Sequence, residues 1–237
     1  MTNHFASMYD ALTYDVPDNL WVDIISPYLE HKHSVLDIGC GTGRILSALD
    51  IEEKFGFDAS REMISIAKEN DSSLQLSVQN MQSFDYDRTF DVITANSDVI
   101  NYLDDLNEVS MFIERVSKHL DPGGVFIFDS HSMYKMMTEF NDQTYADDLE
   151  TISYIWFAHR GESPYSVDHE LIFFNQAENG TYVKTTESFS QRTYPHEDIV
   201  NMIKESTLEL IHTFSDFDSS NKVTTECERI FYILQKS

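Results

Sequence analysis

Apolar residues recur along the first half of the chain in two alternating patterns. Short runs of Val, Leu, Ile and Phe, typical of strands buried on both faces, occur at 34–38, 54–57, 74–78, 90–95 and 125–128. Between them, apolar spacings of three or four predict helices at 43–49 and 61–69 and a long helix from Leu103 to Leu120, ended by an Asp-Pro-Gly-Gly turn. This alternation predicts an α/β fold with a doubly wound, mostly parallel sheet and helices on both faces.

The pattern changes after Ser132. A helix-like stretch reaches about Phe140, and the acidic residues 141–150 are expected to form a surface loop. Segments rich in aromatic and β-branched residues then predict antiparallel strands, the last two joined by an Asn-Gly turn. The chain returns to a helix and two strands, which complete a seven-stranded sheet. We therefore interpret 141–193 as an antiparallel β insertion or cap. The antiparallel strands are predicted at 151–160, 167–175 and 181–192, the later helix at 196–205 and the closing strands at 208–213 and 228–234.

The first 30 residues are predicted to form a helical lid, followed by a main domain at 31–237. Aromatic residues at helical spacing mark positions 4–15, and Pro17 opens a clearer helix whose apolar face includes Trp21. That face should pack on the sheet.

The chain is strongly acidic, with 41 Asp and Glu against 16 Lys and Arg and a formal charge of −25. Such a field disfavours nucleic acid and anionic membranes as partners, because both are held largely by basic residues. Its simplest interpretation is a solvated surface, with a cationic substrate or basic partner as the alternative. Only Cys40 and Cys227 are present, which favours a reducing cytoplasm. No signal peptide and no membrane-spanning run is predicted.

A glycine-rich turn follows the first predicted strand and precedes a helix. Its glycines, at 39, 41 and 43, let backbone approach a ligand closely. The dinucleotide fingerprint G-x-G-x-x-G would need glycine where Arg44 stands, so a nicotinamide or flavin oxidoreductase is disfavoured. Asp37, two residues before the first glycine, is placed to meet a cationic amino group. Together these residues suit a nucleoside that carries an amino acid.

The segment 35–43, Val-Leu-Asp-Ile-Gly-Cys-Gly-Thr-Gly, resembles the first motif of class I S-adenosylmethionine-dependent methyltransferases. The N-terminal segment with Tyr9 and Tyr14, followed by Pro17 and Trp21, resembles the lid of some bacterial small-molecule methyltransferases. The resemblance covers roughly residues 34–132 in specific motifs. It implies a Rossmann-like seven-stranded sheet and S-adenosyl-L-methionine as the methyl donor. Gly39, Cys40, Gly41 and Gly43 would then border the donor, with Cys40 simply a small residue there.

Further donor-binding residues are predicted at the ends of the next strands. Asp58 ends the second strand, where its carboxylate could accept hydrogen bonds from ribose hydroxyls. Ala59 follows it, and Met63 could cover the adenine or belong to the core. The resemblance places Asn80 and Met81 at the adenine, with Asn80 in place of the acid that the family often carries. An amide oxygen can still accept from the adenine amino group, without the charge-assisted component.

The fourth and fifth strand ends are expected to face the methyl group and the acceptor. By the resemblance, Asn96 and Ser97 border the donor, although both also suit an ordinary helix cap. Asn101 and Tyr102 begin the helix beyond and are candidates for substrate contact. His131 is a candidate base or substrate-orienting group, or a structural histidine.

Residues outside these strand ends complete the predicted site. Arg192 could pair an anionic substrate or form a salt bridge. Tyr9 and Tyr14 could lay aromatic rings over a sulfonium, or belong to the core. No metal site is predicted, because the histidines show no metal-ligand spacing.

The sequence thus predicts a methyltransferase that acts on an unidentified small molecule by in-line displacement. Three alternatives stay open: a non-catalytic module that binds the donor, an enzyme acting on RNA, and an enzyme acting on protein. The aromatic strands of 151–192 could shape the acceptor pocket, form their own small core or make a homodimer contact.

Overall fold

The computed structural model describes residues 17–177 and 179–237. The predicted lid residues 1–16, including Tyr9 and Tyr14, lie outside this range. Eleven strands and five α-helices follow within the described residues. The strands are β1 (Ser34–Ile38), β2 (Glu53–Asp58), β3 (Gln75–Val78), β4 (Phe90–Ala95), β5 (Leu120–His131), β6 (Gln143–Asp148), β7 (Ile152–Arg160), β8 (Ser166–Gln176), β9 (Tyr182–Arg192), β10 (Leu208–Ser215) and β11 (Arg229–Lys236). The helices are α1 (Asn19–Ile25), α2 (Arg44–Ala48), α3 (Arg61–Asn70), α4 (Leu106–His119) and α5 (His196–Glu205).

Seven strands form the predicted doubly wound sheet, in the order β10-β11-β5-β4-β1-β2-β3. The strands β1 to β5 are parallel, and Leu36 of β1 lies between Phe55 of β2 and Ile93 of β4. Only β11 runs against its neighbours, pairing antiparallel with both β5 and β10. The carboxyl ends of β1, β2, β4 and β5 therefore share one edge, where a ligand site is expected.

Both faces of this sheet are covered by helices. Val35 packs on one face with Trp21 and Leu46, whereas its neighbour Leu36 packs on the opposite face with Ile113. This alternation follows from the period of two in a strand, and it explains why the β1 run is apolar throughout. The prediction that the helix after Pro17 packs on the sheet is confirmed, since Trp21 is buried there.

A second sheet of four antiparallel strands, β6-β7-β8-β9, forms the insertion. Leu171 and Phe173 of its strand β8 pack against Met63 of the helix α3. The three predicted strands of the insertion are confirmed within one residue at either end.

The expected surface loop at 141–150 was wrong. Residues Gln143–Asp148 form β6, the edge strand of the insertion, paired with β7 through Tyr145 and Trp156. The rings of these two residues lie 5.2 Å apart, so an aromatic contact on the inner side fixes the strand while most of its other residues stay exposed. The acidic composition of this segment suggested a loop, because most side chains of β6 are exposed to solvent.

The predicted helical stretch that reaches about Phe140 is confirmed, since Met133 and Tyr134 are α-helical and a π-helical turn, Lys135–Glu139, follows them. The predicted long helix is shorter than its apolar spacing suggested. The long helix begins at Leu106, because Asp105 caps it by accepting a hydrogen bond from the Glu108 N–H at 2.9 Å. Leu103 lies before this cap and is buried in the core without being helical.

Candidate functional site

The glycine turn after β1 holds its three glycines at left-handed φ angles of +68°, +53° and +78°. A Cβ on Gly39 would lie 2.6 Å from Val99 Cγ2, and one on Gly43 would lie 3.1 Å from Leu74 Cδ1. These two positions need glycine for packing. At Gly41 a Cβ would meet nothing within 4 Å, so the backbone there borders open space. The turn therefore presents bare backbone at Gly41, as a ligand cradle requires.

That open space belongs to a cavity of about 300 Å³ at the carboxyl edge of the sheet. Its wall is assembled from the residues that follow β1, β2, β3 and β4. Most of the predicted donor-binding residues line it. They are Gly39, Gly41, Asp58, Ala59, Met63, Asn80, Met81, Asn96 and Ser97, joined by Phe57, Gln79, Gln82, Val99 and Tyr102.

Asp58 lies in the cavity wall in direct contact with the glycine turn. Its Oδ2 accepts a hydrogen bond from the Gly41 N–H at 3.1 Å, and its Oδ1 accepts from the Ser60 N–H at 2.7 Å. Burial raises the pKa of Asp58, while these backbone donors act in the opposite direction. The carboxylate thus ties the second strand end to the cradle, and it lies in the cavity wall where a hydroxyl-bearing ligand could reach it.

The third strand end contributes Asn80 and Met81. Asn80 is exposed at the cavity, and its Oδ1 accepts the Gln82 N–H at 2.8 Å in a tight local turn. Gln79, which the sequence did not single out, also lines the cavity and donates to Ser77 Oγ at 3.0 Å. Its position beside Asn80 was the only available signal for it.

Asp37 lies beneath the cavity and is not among its lining residues. Its Oδ1 accepts hydrogen bonds from Thr94 Oγ1 at 2.6 Å and from Asn96 Nδ2 at 3.0 Å. Burial raises the pKa of Asp37 from 3.8 to about 7, although the two hydrogen bonds oppose this shift. In this structure the carboxylate reaches the cavity through Asn96, and direct contact with a ligand amino group stays a prediction.

A buried ion network that the sequence did not predict lies beside the cavity, over β4, β5 and β11. Asp129 at the end of β5 accepts the Ser97 N–H at 2.8 Å, the Asp98 N–H at 3.0 Å and Trp21 Nε1 at 3.0 Å. Arg229 of β11 forms ion pairs with both Asp129 and Asp98. We call Trp21, Asp98, Asp129 and Arg229 the strand-end network.

The opposite charges in this network keep Asp98 and Arg229 ionised. Burial alone would raise the pKa of Asp98, but His131 and Arg229 hold it well below its usual range. Burial acts to lower the pKa of Arg229, yet Asp129 and Asp98 raise it above the usual arginine value. A buried ion pair of this kind stays charged because the Arg229 guanidinium lies between two carboxylates.

His131 lies behind Asp98 and does not line the cavity. Its Nε2 is 3.4 Å from Asp98 Oδ1, and its Nδ1 has no hydrogen-bond partner among the residues that the structure describes. Burial lowers its pKa, with Asp98 opposing the shift. The imidazole therefore lies against the carboxylate, and any role toward a ligand would pass through Asp98.

Asn101 and Arg192 brace the insertion against the sheet. The Asn101 side chain donates to the Arg192 carbonyl at 2.8 Å and accepts the His131 N–H at 2.9 Å. Arg192 donates through Nε to the Pro164 carbonyl at 3.2 Å and through Nη1 to the Asp104 carbonyl at 2.6 Å. These contacts use both side chains structurally, so the predicted substrate contacts of Asn101 and Arg192 stay predictions.

Tyr102 and Cys40 have opposite surroundings. Tyr102 is 41% exposed at the cavity, with its ring 5.7 Å from Phe189 of the insertion. Cys40 is buried in the core, so only its backbone belongs to the glycine turn.

No group of three or more His, Cys, Asp or Glu side chains within residues 17–177 and 179–237 is placed to hold a metal ion.

The arrangement combines a backbone cradle, a carboxylate suited to hydroxyls and a neighbouring charged cluster.

Residues 29–183 match a family model described as a methyltransferase domain. The methyltransferase YqeM of Bacillus subtilis (strain 168) is 36% identical over 98% of this chain and 96% of its own. A crystal structure of a Clostridium acetobutylicum ATCC 824 S-adenosylmethionine-dependent methyltransferase is 28% identical, covers 99% of this chain and 98% of its own, and has a TM-score of 0.87. A Saccharopolyspora spinosa dTDP-4-amino-2,3,4,6-tetradeoxy-D-glucose N,N-dimethyltransferase is 27% identical over 52% of this chain and 53% of its own.

Proposed function

Because the chain belongs to the family of S-adenosylmethionine-dependent methyltransferases, we propose that it transfers the methyl group to a small-molecule acceptor by in-line displacement. The observation that carries the proposal is the pairing of Gly41 with Asp58. Bare backbone and a carboxylate face the same cavity, joined by a hydrogen bond of 3.1 Å. This chemistry fits a nucleoside whose ribose hydroxyls donate to Asp58 while its chain passes Gly41.

We assign the remaining cavity residues to the donor on the same reasoning. Asn80 and Met81 would meet the adenine, and Met63 would close the floor beneath it. Asn96, bonded to Asp37 below, would meet the amino acid end, where a cationic amino group is favoured by the nearby carboxylate. Ser97 would then border the methyl group.

When bound, S-adenosylmethionine supplies an electrophilic methyl group on a positively charged sulfur. The chain then has little covalent work to do, so its contribution is to hold the acceptor in line and to exclude water. Tyr102 lines the cavity and its ring lies 5.7 Å from that of Phe189 in the insertion, and we propose that these two side chains close over the acceptor.

A small molecule is favoured over nucleic acid or protein by two observations. The formal charge of −25 opposes a phosphate backbone. The relative from Saccharopolyspora spinosa is named for a sugar nucleotide that carries an amino group. A non-catalytic module that only binds the donor is the alternative.

Cellular location and assembly are also proposals. Cys40 and Cys227 are free and buried, as a reducing cytoplasm allows. None of the helices in the described residues combines the length and apolar character needed to cross a membrane.

We propose a homodimer through the outer face of the insertion, to be tested by sedimentation of the purified chain.

The function is tested by calorimetry followed by turnover. We expect S-adenosylmethionine and its demethylated product to bind, and Asp58→Asn to weaken both by at least about tenfold, which corresponds to 1.4 kcal/mol. Incubation with radiolabelled donor and a small-molecule extract should then consume donor. Absence of binding would refute the donor assignment, and binding without consumption in any extract would favour the non-catalytic module.

A further inference from the structure

The donor cavity and the strand-end network lie next to each other along the same edge of the sheet. The cavity covers the ends of β1, β2, β3 and β4, whereas Asp98, Asp129 and Arg229 lie over β4, β5 and β11. Ser97 and Val99 line the cavity on either side of Asp98 in sequence. We propose that Asp98 binds the acceptor and that the acceptor's nucleophile is an amine, an inference that rests on the proposed function.

The backbone that presents Asp98 is held in a strained conformation. Ser97 and Asp98 have φ values of +56° and +57°, which non-glycine residues rarely adopt. Both of their N–H groups are bound by the two oxygens of the Asp129 carboxylate. Strain of this kind persists only where surrounding structure fixes it, and it concentrates at functional sites. The turn therefore has one geometry, which fixes the direction of the Asp98 side chain.

The Asp98 carboxylate has room for one more donor. Arg229 Nη2 lies 2.9 Å from Oδ1, His131 Nε2 lies 3.4 Å from the same atom, and Gln191 Nε2 lies 2.7 Å from Oδ2. A carboxylate offers about four acceptor positions, so three protein donors leave one. The side chain is 17% exposed, more than His131 at 6% or Arg229 at 11%. Asp98 is thus more exposed than the two charged or titratable groups around it, and its sequence neighbours Ser97 and Val99 line the cavity.

Charge then selects the chemical class of the acceptor. The network holds two carboxylates against one guanidinium, so its net charge is negative. An anionic nucleophile would be repelled here. An amine donates an N–H to Asp98 while its lone pair stays available, and it gains positive charge as it reacts. Asp98 therefore stabilises the transition state more than the neutral amine.

The transfer balances without a further reagent. The nitrogen lone pair forms the N–C bond to the methyl carbon, and the C–S bond breaks with its electron pair left on sulfur. The sulfur becomes neutral and the nitrogen carries one positive charge. That ammonium loses its proton to water. Asp98 accepts hydrogen bonds throughout and is not itself required to take the proton.

The test compares three nucleosides that differ only near the transferred methyl group. S-adenosylhomocysteine is neutral there, S-adenosylmethionine is cationic without an N–H, and sinefungin carries an amine in place of the methylsulfonium. We expect Asp98→Asn to weaken sinefungin about tenfold, the other two changing by less than about threefold, since a charged hydrogen bond contributes about 1.5–3 kcal/mol. Asp87→Asn, an exposed carboxylate before β4, is the control for net charge.

Each outcome separates the two proposals. If none of the three nucleosides binds the wild-type protein, the proposed function fails. If all bind and Asp98→Asn weakens sinefungin no more than S-adenosylmethionine, Asp98 serves only the sulfonium charge and the amine inference is overturned. Should the variant not fold, a crystal structure of the wild-type sinefungin complex decides. We expect the amine nitrogen within about 3.2 Å of an Asp98 oxygen, the upper end of the usual range for such hydrogen bonds, and a longer separation would refute the inference.

Discussion

Asn96 donates its side-chain Nδ2–H to Asp37 Oδ1 over 3.0 Å, which joins the ends of β1 and β4 beneath the donor cavity. The bond links a residue that lines the cavity to a fully covered carboxylate. Any change in the ionisation of Asp37 therefore changes the strength of its hydrogen bond with Asn96.

We predict that this link makes stability depend on pH. The pKa of Asp37 is raised from 3.8 to about 7 by burial, so the folded state holds its proton more tightly than the unfolded state does. The resulting stabilisation is fully present below pH 3.8 and is lost as pH rises through about 7. Urea unfolding of the ligand-free protein between pH 5 and pH 8 measures this loss.

Asp37→Asn serves as the comparison, because an amide oxygen can still accept from Thr94 and Asn96. The slope of stability against pH should be smaller in the variant. Donor affinity should rise between about pH 6 and pH 8 in the wild type, since ionised Asp37 favours the cationic amino group, and stay flat in the variant. Identical slopes in both proteins would show that Asp37 does not titrate in this range.

Gly41→Ala is predicted to remove donor binding while leaving the protein folded. The left-handed φ of +53° costs alanine about 1–2 kcal/mol, and the new methyl group enters open space where the donor should pass. We expect at least about tenfold weaker binding of S-adenosylhomocysteine by calorimetry. Gly123→Ala is a matched control, because Gly123 has φ +75° and also meets nothing within 4 Å, at the opposite edge of the sheet. Equal losses of affinity in both variants would contradict this assignment.

Arg229→Met is predicted to destabilise the protein by about 3–5 kcal/mol, since it leaves Asp98 and Asp129 as buried charges without their cation. Arg88→Met removes an exposed ion pair with Glu53 and should cost about 1 kcal/mol or less. Thermal and urea unfolding of the two variants supply the comparison. A loss at Arg229 no greater than at Arg88 would mean that the strand-end network contributes little to folding.

Asn80→Asp is predicted to strengthen donor binding by about three- to tenfold. A carboxylate oxygen would accept from the adenine amino group as a charge-assisted hydrogen bond, roughly twice as strong as the amide's. It can also keep the turn contact to the Gln82 N–H. Gln75→Glu, at the exposed start of β3, adds the same charge away from the cavity. Weaker binding in Asn80→Asp would place the adenine elsewhere.

The parts of the site that the sequence predicted are those that local chain chemistry determines. The glycine turn at 39–43 is contiguous, and Asp58 and Asn96 were found because they end apolar strands of the parallel sheet. The strand-end network has no such local signal, because Arg229 meets Asp129 across 100 residues and Asp98 across 131. A charged residue at the start of the buried strand β11 was the only indication available.

In the insertion, too, some strands are predicted by their own sequence pattern, whereas one depends on tertiary contacts. Its strands β7, β8 and β9 carry strong β-branched and aromatic patterns, and they were predicted closely. Strand β6 exists only because β7 supplies its hydrogen bonds and Trp156 receives Tyr145. The β-propensity of a segment cannot predict an edge strand that forms only because a neighbouring strand supplies its hydrogen bonds.

The position of β11 has a consequence for biosynthesis. It is the last described strand in sequence, yet it lies between β5 and β10 and carries Arg229 into the site. While a ribosome is still making residue 229, β5 has an unpaired edge and the Ser97–Asp98 turn lacks its cation. Donor-binding residues can assemble on the nascent chain from β1 to β4, but the neighbouring half of the site must wait until β11 has been made.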